Sequence, residues 1–139
     1  MTFTNPTPDE ICGTLRNIRT IAVVGLSAKP DRPSFRVAQA LQARGYRIVP
    51  VTPQGKEILG EPAYPDLESI PFKVDMVDVF RAPEHVPAIV DSCIALGMTR
   101  LWLQDGVIHE EAAQRAQDAG IWLVMDRCIW RDLSQLCAP

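Results

Sequence analysis

No apolar run in this 139-residue chain approaches the roughly 20 residues needed to cross a bilayer. The opening stretch MTFTNPTPDE has neither a basic nor an apolar segment, so no secretory leader is readable and a cytoplasmic setting is expected. The four cysteines, Cys12, Cys93, Cys128 and Cys137, are scattered without a C-x-x-C, and neither His85 nor His109 neighbours one of them. That scatter predicts neither a disulfide framework nor a metal site, both of which need clustered ligands. No G-x-S-x-G elbow, Walker loop or Cys–His pairing occurs, so an enzyme acting alone is not expected.

Positive charge is also in short supply, the formal net charge being −3. Its distribution is uneven: residues 1–60 hold eight Lys/Arg against four Asp/Glu, and residues 61–139 hold six against thirteen. Such a chain is a poor nucleic-acid binder, but its basic first third suits a small polyanion held where that segment folds inward.

What is present is an ordinary globular composition, 47% hydrophobic and 22% charged, in a chain of single-domain length. Short β-branched or aromatic runs read as strands: TIAVVG (20–25), YRIVPV (46–51), VDMVDVF (74–80), RLWLQ (100–104) and IWLVM (121–125). Helical patterns separate most of them. SFRVAQALQARG stops at Gly45; PEHVPAIVDSCIALG sets Val86, Ile89, Val90, Cys93 and Ile94 on one face and stops at Gly97; HEEAAQRAQDAG ends at Gly120. PDEICGTLRNI and RCIWRDLSQL add a helix at each end. Strands alternating with helices imply right-handed parallel crossovers, hence one doubly wound, Rossmann-like α/β domain with five parallel strands flanked by helices. Only residues 52–73 break the rhythm, with room for short regular pieces alone, and long connections in such domains tend to serve a site.

Ligands of open α/β sheets sit beyond the carboxyl ends of the strands. The first of these loops, after Val24, reads Gly25-Leu-Ser27-Ala-Lys-Pro30 where a dinucleotide fold would continue G-x-G-x-x-G. Two of three fingerprint glycines are missing. The acid that holds a ribose 2′-OH is missing too: VPVTPQGK offers Lys56 and no carboxylate before Glu57. The loop nevertheless feeds a helix N-terminus, which favours phosphate, with Ser34 as its N-cap or a direct phosphate contact. A ligand more phosphorylated than NAD is expected.

VVGLSAKPDRPSFRVAQAL, GYRIVPVTP, VDVFRAPEHVPAIV and LWLQDGVIHEEAAQRAQDAGIWLVMDRC together resemble the small stand-alone CoA-binding proteins, whose fold is shared with the N-terminal domain of the succinyl-CoA synthetase α subunit. The likeness covers nearly all of residues 8–135 and rests on the ordered set G-x-S-x-x-P, S-x-R-V, V-F-R, L-Q-x-G and D-R-C. Family members usually carry Asn before the proline of the second loop; Thr52 stands here, as in the synthetase. The resemblance implies coenzyme A or a short acyl-CoA as ligand. Gly25 and Ser27 would line the phosphate loop, with Ser34, Arg36 and Val37 opening the helix beneath the pyrophosphate. Pro53 and Lys56 would lie at the adenosine end, Lys56 meeting the 3′-phosphate. Phe80, Arg81 and Pro83 would form the next wall, Gln104 and Gly106 the border of the pantetheine path, and Arg127 with Cys128 its far end.

The synthetases' phosphorylated histidine belongs to a second domain and is not assigned to His109, which reads as a helix-start residue. Trp102 and Trp122 read as core packing, and Asp75 and Asp78, three apart on one strand, point to opposite faces rather than acting as a pair. Two other functions stay open: an NADP-dependent oxidoreductase, and an interaction subunit completing an acyl-CoA ligase or transferase made by another chain. A protein partner or a homodimer is left open: a stable large partner would support the interaction subunit, and a free monomer or homodimer would weaken it.

Overall fold

In the computed structural model, which describes residues 3–53 and 55–137, the apolar runs form strands with both faces covered. The chain runs α1 (Pro8–Asn17), β1 (Thr20–Val24), α2 (Pro33–Ala43), β2 (Arg47–Val51), β3 (Glu57–Ile58), β4 (Glu61–Pro62), β5 (Met76–Val79), α3 (Val86–Leu96), β6 (Arg100–Leu103), α4 (Glu110–Asp118), β7 (Trp122–Val124) and α5 (Ile129–Leu136). Five strands make one parallel sheet in the order β2-β1-β5-β6-β7. The expected doubly wound α/β sheet is therefore present. Among the described residues of 52–73 the regular pieces are the β3–β4 hairpin, a short 3-10 turn at Leu67–Ser69 and a single parallel bridge from Tyr64 to Val51.

Period-two alternation decides which side chain goes where. Ile21 and Val23 share one face with Ile48, Met76, Trp102 and Val124, covered by Ile11, Leu15, Leu41, Ile129 and Leu133 of α1, α2 and α5. Ala22 and Val24 point the other way with Val49, Val77, Val79, Leu101 and Leu103, covered by Val90, Cys93, Ala113 and Ala116 of α3 and α4. Trp102 is fully buried and Trp122 partly so, both in the first of these layers. Neither face meets water, which is why the strands read as nearly continuous apolar runs.

The helix ends follow local chemistry. Thr7 accepts from the Glu10 N–H while the Glu10 carboxylate accepts from the Thr7 N–H, a reciprocal cap on α1. His109 starts α4 by accepting the Ala112 N–H at Nδ1, 3.1 Å away. Gly97 stops α3 in the left-handed region, φ 71°. Two expectations are corrected. Ile94 lies on the exposed side of α3 rather than on its buried face, since the helix turns the Val86, Val90 and Cys93 edge toward the sheet. Cys12 and Cys137 form a disulfide across 125 positions. Spacing along the chain conceals the pair because α1 and α5, at opposite ends of the sequence, pack on the same face of the sheet.

Candidate ligand site at the carboxyl edge of the sheet

β2 and β5 flank β1, so the connections after β1 and after β5 leave the sheet in opposite directions and open a crevice between them. Gly25 ends β1 there with φ 86°, and a Cβ at that position would lie 2.5 Å from the Phe80 carbonyl oxygen and 2.9 Å from Arg81 Cδ. Only glycine allows both the turn and this approach. The loop beyond it is braced from inside: the Ser27 N–H donates to Ser34 Oγ (3.0 Å) and the Lys29 N–H donates to Ser27 Oγ (3.1 Å). Ser34 is therefore a buried strut of the loop and not the N-cap; that position is Arg32, with Pro33 opening α2. No side chain caps α2, so its first turn keeps N–H groups and the positive end of the helix dipole available to an anion.

Two clefts meet at this crevice. The larger, about 500 Å³, is lined by Pro33, Val37, Phe80, Arg81, Ala82, Pro83, Gln104, Asp105, Gly106, Val107 and Cys128. The smaller, about 180 Å³, is lined by Val24, Val51, Pro53, Pro65, Asp66, Leu67, Glu68, Arg81, Ala88, Ile89 and Ser92. Arg81 belongs to both walls. Its guanidinium lies 3.2 Å from His85 Nε2.

Seven of the residues singled out in the sequence, Val37, Phe80, Arg81, Pro83, Gln104, Gly106 and Cys128, thus come together in the larger cleft. Pro53 joins Arg81 in the smaller one, and Gly25, Ser27 and Ser34 build the loop beside them. Arg36 and Lys56 stand exposed on the first turn of α2 and on the start of the β3–β4 segment. Arg127 is not brought to either cleft: its guanidinium makes a two-pronged ion pair with buried Asp132 at 2.6 and 2.9 Å, which raises the Arg127 pKa, and its carbonyl accepts the Trp102 indole N–H.

Lys29, Arg32, Arg36, Lys56 and Arg81 have no carboxylate partner among the described residues, whereas Arg115, Arg127 and Arg131 are paired with Asp91, Asp132 and Asp105. Gln104, 4% exposed, accepts the Ile129 N–H at Oε1 (3.2 Å), which leaves its amide nitrogen without an acceptor among the described residues in the wall of the larger cleft. One role was not legible in sequence: Asp126, at φ 61°, accepts the Gly106 N–H at 2.7 Å and fixes the loop after β6. The Asp105-Gly106 pair signals a turn, but nothing local signals an acceptor twenty positions later. No group of three or more His, Cys, Asp or Glu side chains among the described residues is arranged to hold a metal, and no helix there is long and apolar enough to cross a membrane.

Asp75 and Asp78 do face apart. Asp75 accepts the Arg19 and Thr20 N–H groups at 2.9 Å each and ties α1 to the sheet. Asp78, between Val23 and Trp102 in the sheet register, is fully buried with no partner for either carboxylate oxygen among the described residues. Burial alone pushes its pKa well above the usual carboxylate range. A folded-state pKa raised above the unfolded one stabilises fully below the unfolded value, and that contribution is lost as pH climbs toward the folded value. Wild-type stability should therefore fall with rising pH by up to about 1.4 kcal/mol per unit from this group, and Asp78→Asn should remove that slope. Urea midpoints of both proteins from pH 4 to pH 8 check it; parallel curves would refute it.

A wider cleft, about 840 Å³, lies at the opposite, amino-terminal edge of β5 and β6, between Phe72, Lys73, Leu96 and Arg100. It is remote from the loops that leave the strand ends, and the features of the crevice at Gly25 are not repeated there.

Comparison with known proteins agrees with this fold. A Bacillus subtilis protein described as uncharacterized, YneT, is 40% identical over 125 residues, spanning 90% of this chain and 93% of its own. The ADP-forming acetate–CoA ligase II of Archaeoglobus fulgidus is 28% identical over 101 residues, which are 71% of this chain but only 15% of the ligase. Among solved structures, a hypothetical protein from Pyrococcus horikoshii OT3 superposes with a TM-score of 0.90 at 34% identity, covering 98% of this chain and 99% of that one. The CoA binding domain family pattern matches residues 19–134, and the chain belongs to that family.

Proposed function

We propose that this domain binds coenzyme A, or a short acyl-CoA, across the carboxyl edge of its sheet without itself catalysing a reaction. Adenosine would occupy the smaller cleft beside Pro53, the diphosphate the Gly25–Ser27 loop, the start of α2 and Arg81, and pantetheine the larger cleft toward Gln104 and Cys128. The observation that carries this reading is the shared wall: one arginine, with no carboxylate partner among the described residues, stands between a small cleft and a larger, mostly apolar one beside an uncapped helix start. A nucleotide joined through a diphosphate to a long neutral arm has that order of parts. The reading also suits a cytoplasmic protein.

Lys56, exposed and unpaired, is assigned to the 3′-phosphate. CoA should then bind Lys56→Ala about tenfold more weakly than wild type, a charge-assisted contact being worth about 1.5–3 kcal/mol before solvent screening. Dephospho-CoA should bind both proteins alike. Calorimetric titration of the two ligands into the two proteins measures this; an equal loss for both ligands would move the 3′-phosphate away from Lys56.

A second reading is that the domain completes a ligase formed with another chain. It draws on the A. fulgidus acetate–CoA ligase, in which the matching region is a small part of a much longer protein. Co-purification of a stoichiometric larger chain, with ligase activity appearing only in the complex, would support it.

A further inference from the structure

We infer that Cys128 is a thiol–disulfide exchange site for the sulfur end of the bound coenzyme, so that the domain takes up oxidised CoA as a mixed disulfide. This deepens the proposed CoA reading and rests on it. Cys128 is partly exposed, precedes α5, and lines the larger cleft. Independently, Gln104 in the same wall holds an amide N–H₂ with no acceptor among the described residues while its oxygen is fixed by the Ile129 N–H. That N–H₂ is not sealed from solvent, so it is free to donate to a carbonyl supplied by a ligand lying in the cleft. The pantetheine arm carries amide carbonyls, and its thiol lies at the end of the arm. Pro33, Val37, Phe80 and Val107 give the intervening methylenes an apolar lining.

The other cysteines do not compete. Cys12 and Cys137 are bonded to each other, and Cys93 is wholly buried, which together with nearby Glu68 pushes its thiol up to about 12. The exchange is balanced without an outside oxidant. The Cys128 thiol gives its proton to water and, as thiolate, attacks one sulfur of CoA disulfide. The CoA–CoA S–S bond breaks as the Cys128–CoA S–S bond forms, and the second CoA leaves as a thiolate. Cys128 sulfur is oxidised and the departing sulfur is reduced. Reduced CoA in excess reverses the step.

The test uses the full chain with its Cys12–Cys137 bond intact, incubated in parallel with CoA disulfide and glutathione disulfide. Adducts are timed by intact mass and mapped by digestion without reductant. CoA disulfide should give one adduct per chain, on Cys128, at least about tenfold faster than glutathione disulfide, because binding raises the local concentration of the reacting sulfur. Cys128→Ser should form none. Excess adenosine 3′,5′-diphosphate should slow the CoA disulfide reaction while leaving the glutathione reaction unchanged, which separates guidance from intrinsic thiol reactivity. Titration with reduced CoA runs alongside. Binding of reduced CoA with no Cys128 adduct, or equal rates for the two disulfides, overturns the inference and leaves the CoA reading standing. No binding of reduced CoA overturns both.

Discussion

Arg81→Ala should weaken CoA binding by about 10–100-fold, the loss expected when one arginine's charge-assisted bonds of about 1.5–3 kcal/mol are removed. Arg81 is half-buried at the seam of the two clefts, where Gly25 brings the loop after β1 against its side chain. Its one side-chain partner is His85, and no carboxylate among the described residues neutralises it. The fold asks little of this guanidinium, so the thermal midpoint should move by no more than about 2 °C. Arg81→Lys should recover only part of the affinity, since an ammonium keeps the charge but not the planar fork that grips two phosphate oxygens. Titration calorimetry with a parallel melt separates the two effects. An alanine variant that binds CoA like wild type would take the diphosphate away from this seam.

The second large effect concerns stability. Joining Cys12 to Cys137 closes nearly the whole chain into one loop, and such a cross-link restricts the unfolded ensemble. Replacing both by serine should cost about 2–4 kcal/mol, or roughly 6–12 °C in melting midpoint for a domain of this size. Wild type treated with reductant should melt close to the double variant. The bond lies at the far end of α5 from Cys128, so CoA affinity should be unchanged in the variant at a temperature where it is folded. Equal midpoints for oxidised wild type and double variant would show that the bond adds nothing to stability.

Much of this architecture is written locally. Each strand of the parallel sheet announces itself as a short apolar run because both faces are buried, and Gly45, Gly97 and Gly120 mark turns that need a positive φ. Gly25 also stands out, since a strand that ends in glycine before a helix is a local pattern with a physical cause. Contacts between remote segments are not written locally. The Cys12–Cys137 bond, the Asp126 acceptor beneath Gly106 and the pairing of Arg127 with Asp132 all depend on which loops the sheet order brings together. Arg127 shows the consequence for the site: its place next to Cys128 puts it near the cleft in sequence, while a buried carboxylate one helical turn later draws its guanidinium away. Ser34 shows it again, for the cap pattern around Pro33 fits two registers and the loop's need for a strut selects one.

The most direct measurement is a calorimetric titration of the oxidised 139-residue protein with CoA, dephospho-CoA and NADP at matched concentrations. Binding of one CoA per chain, weaker binding of dephospho-CoA and no heat from NADP is the predicted result. Binding of NADP with none of CoA would contradict it, and would turn the same crevice into the site of a nicotinamide enzyme.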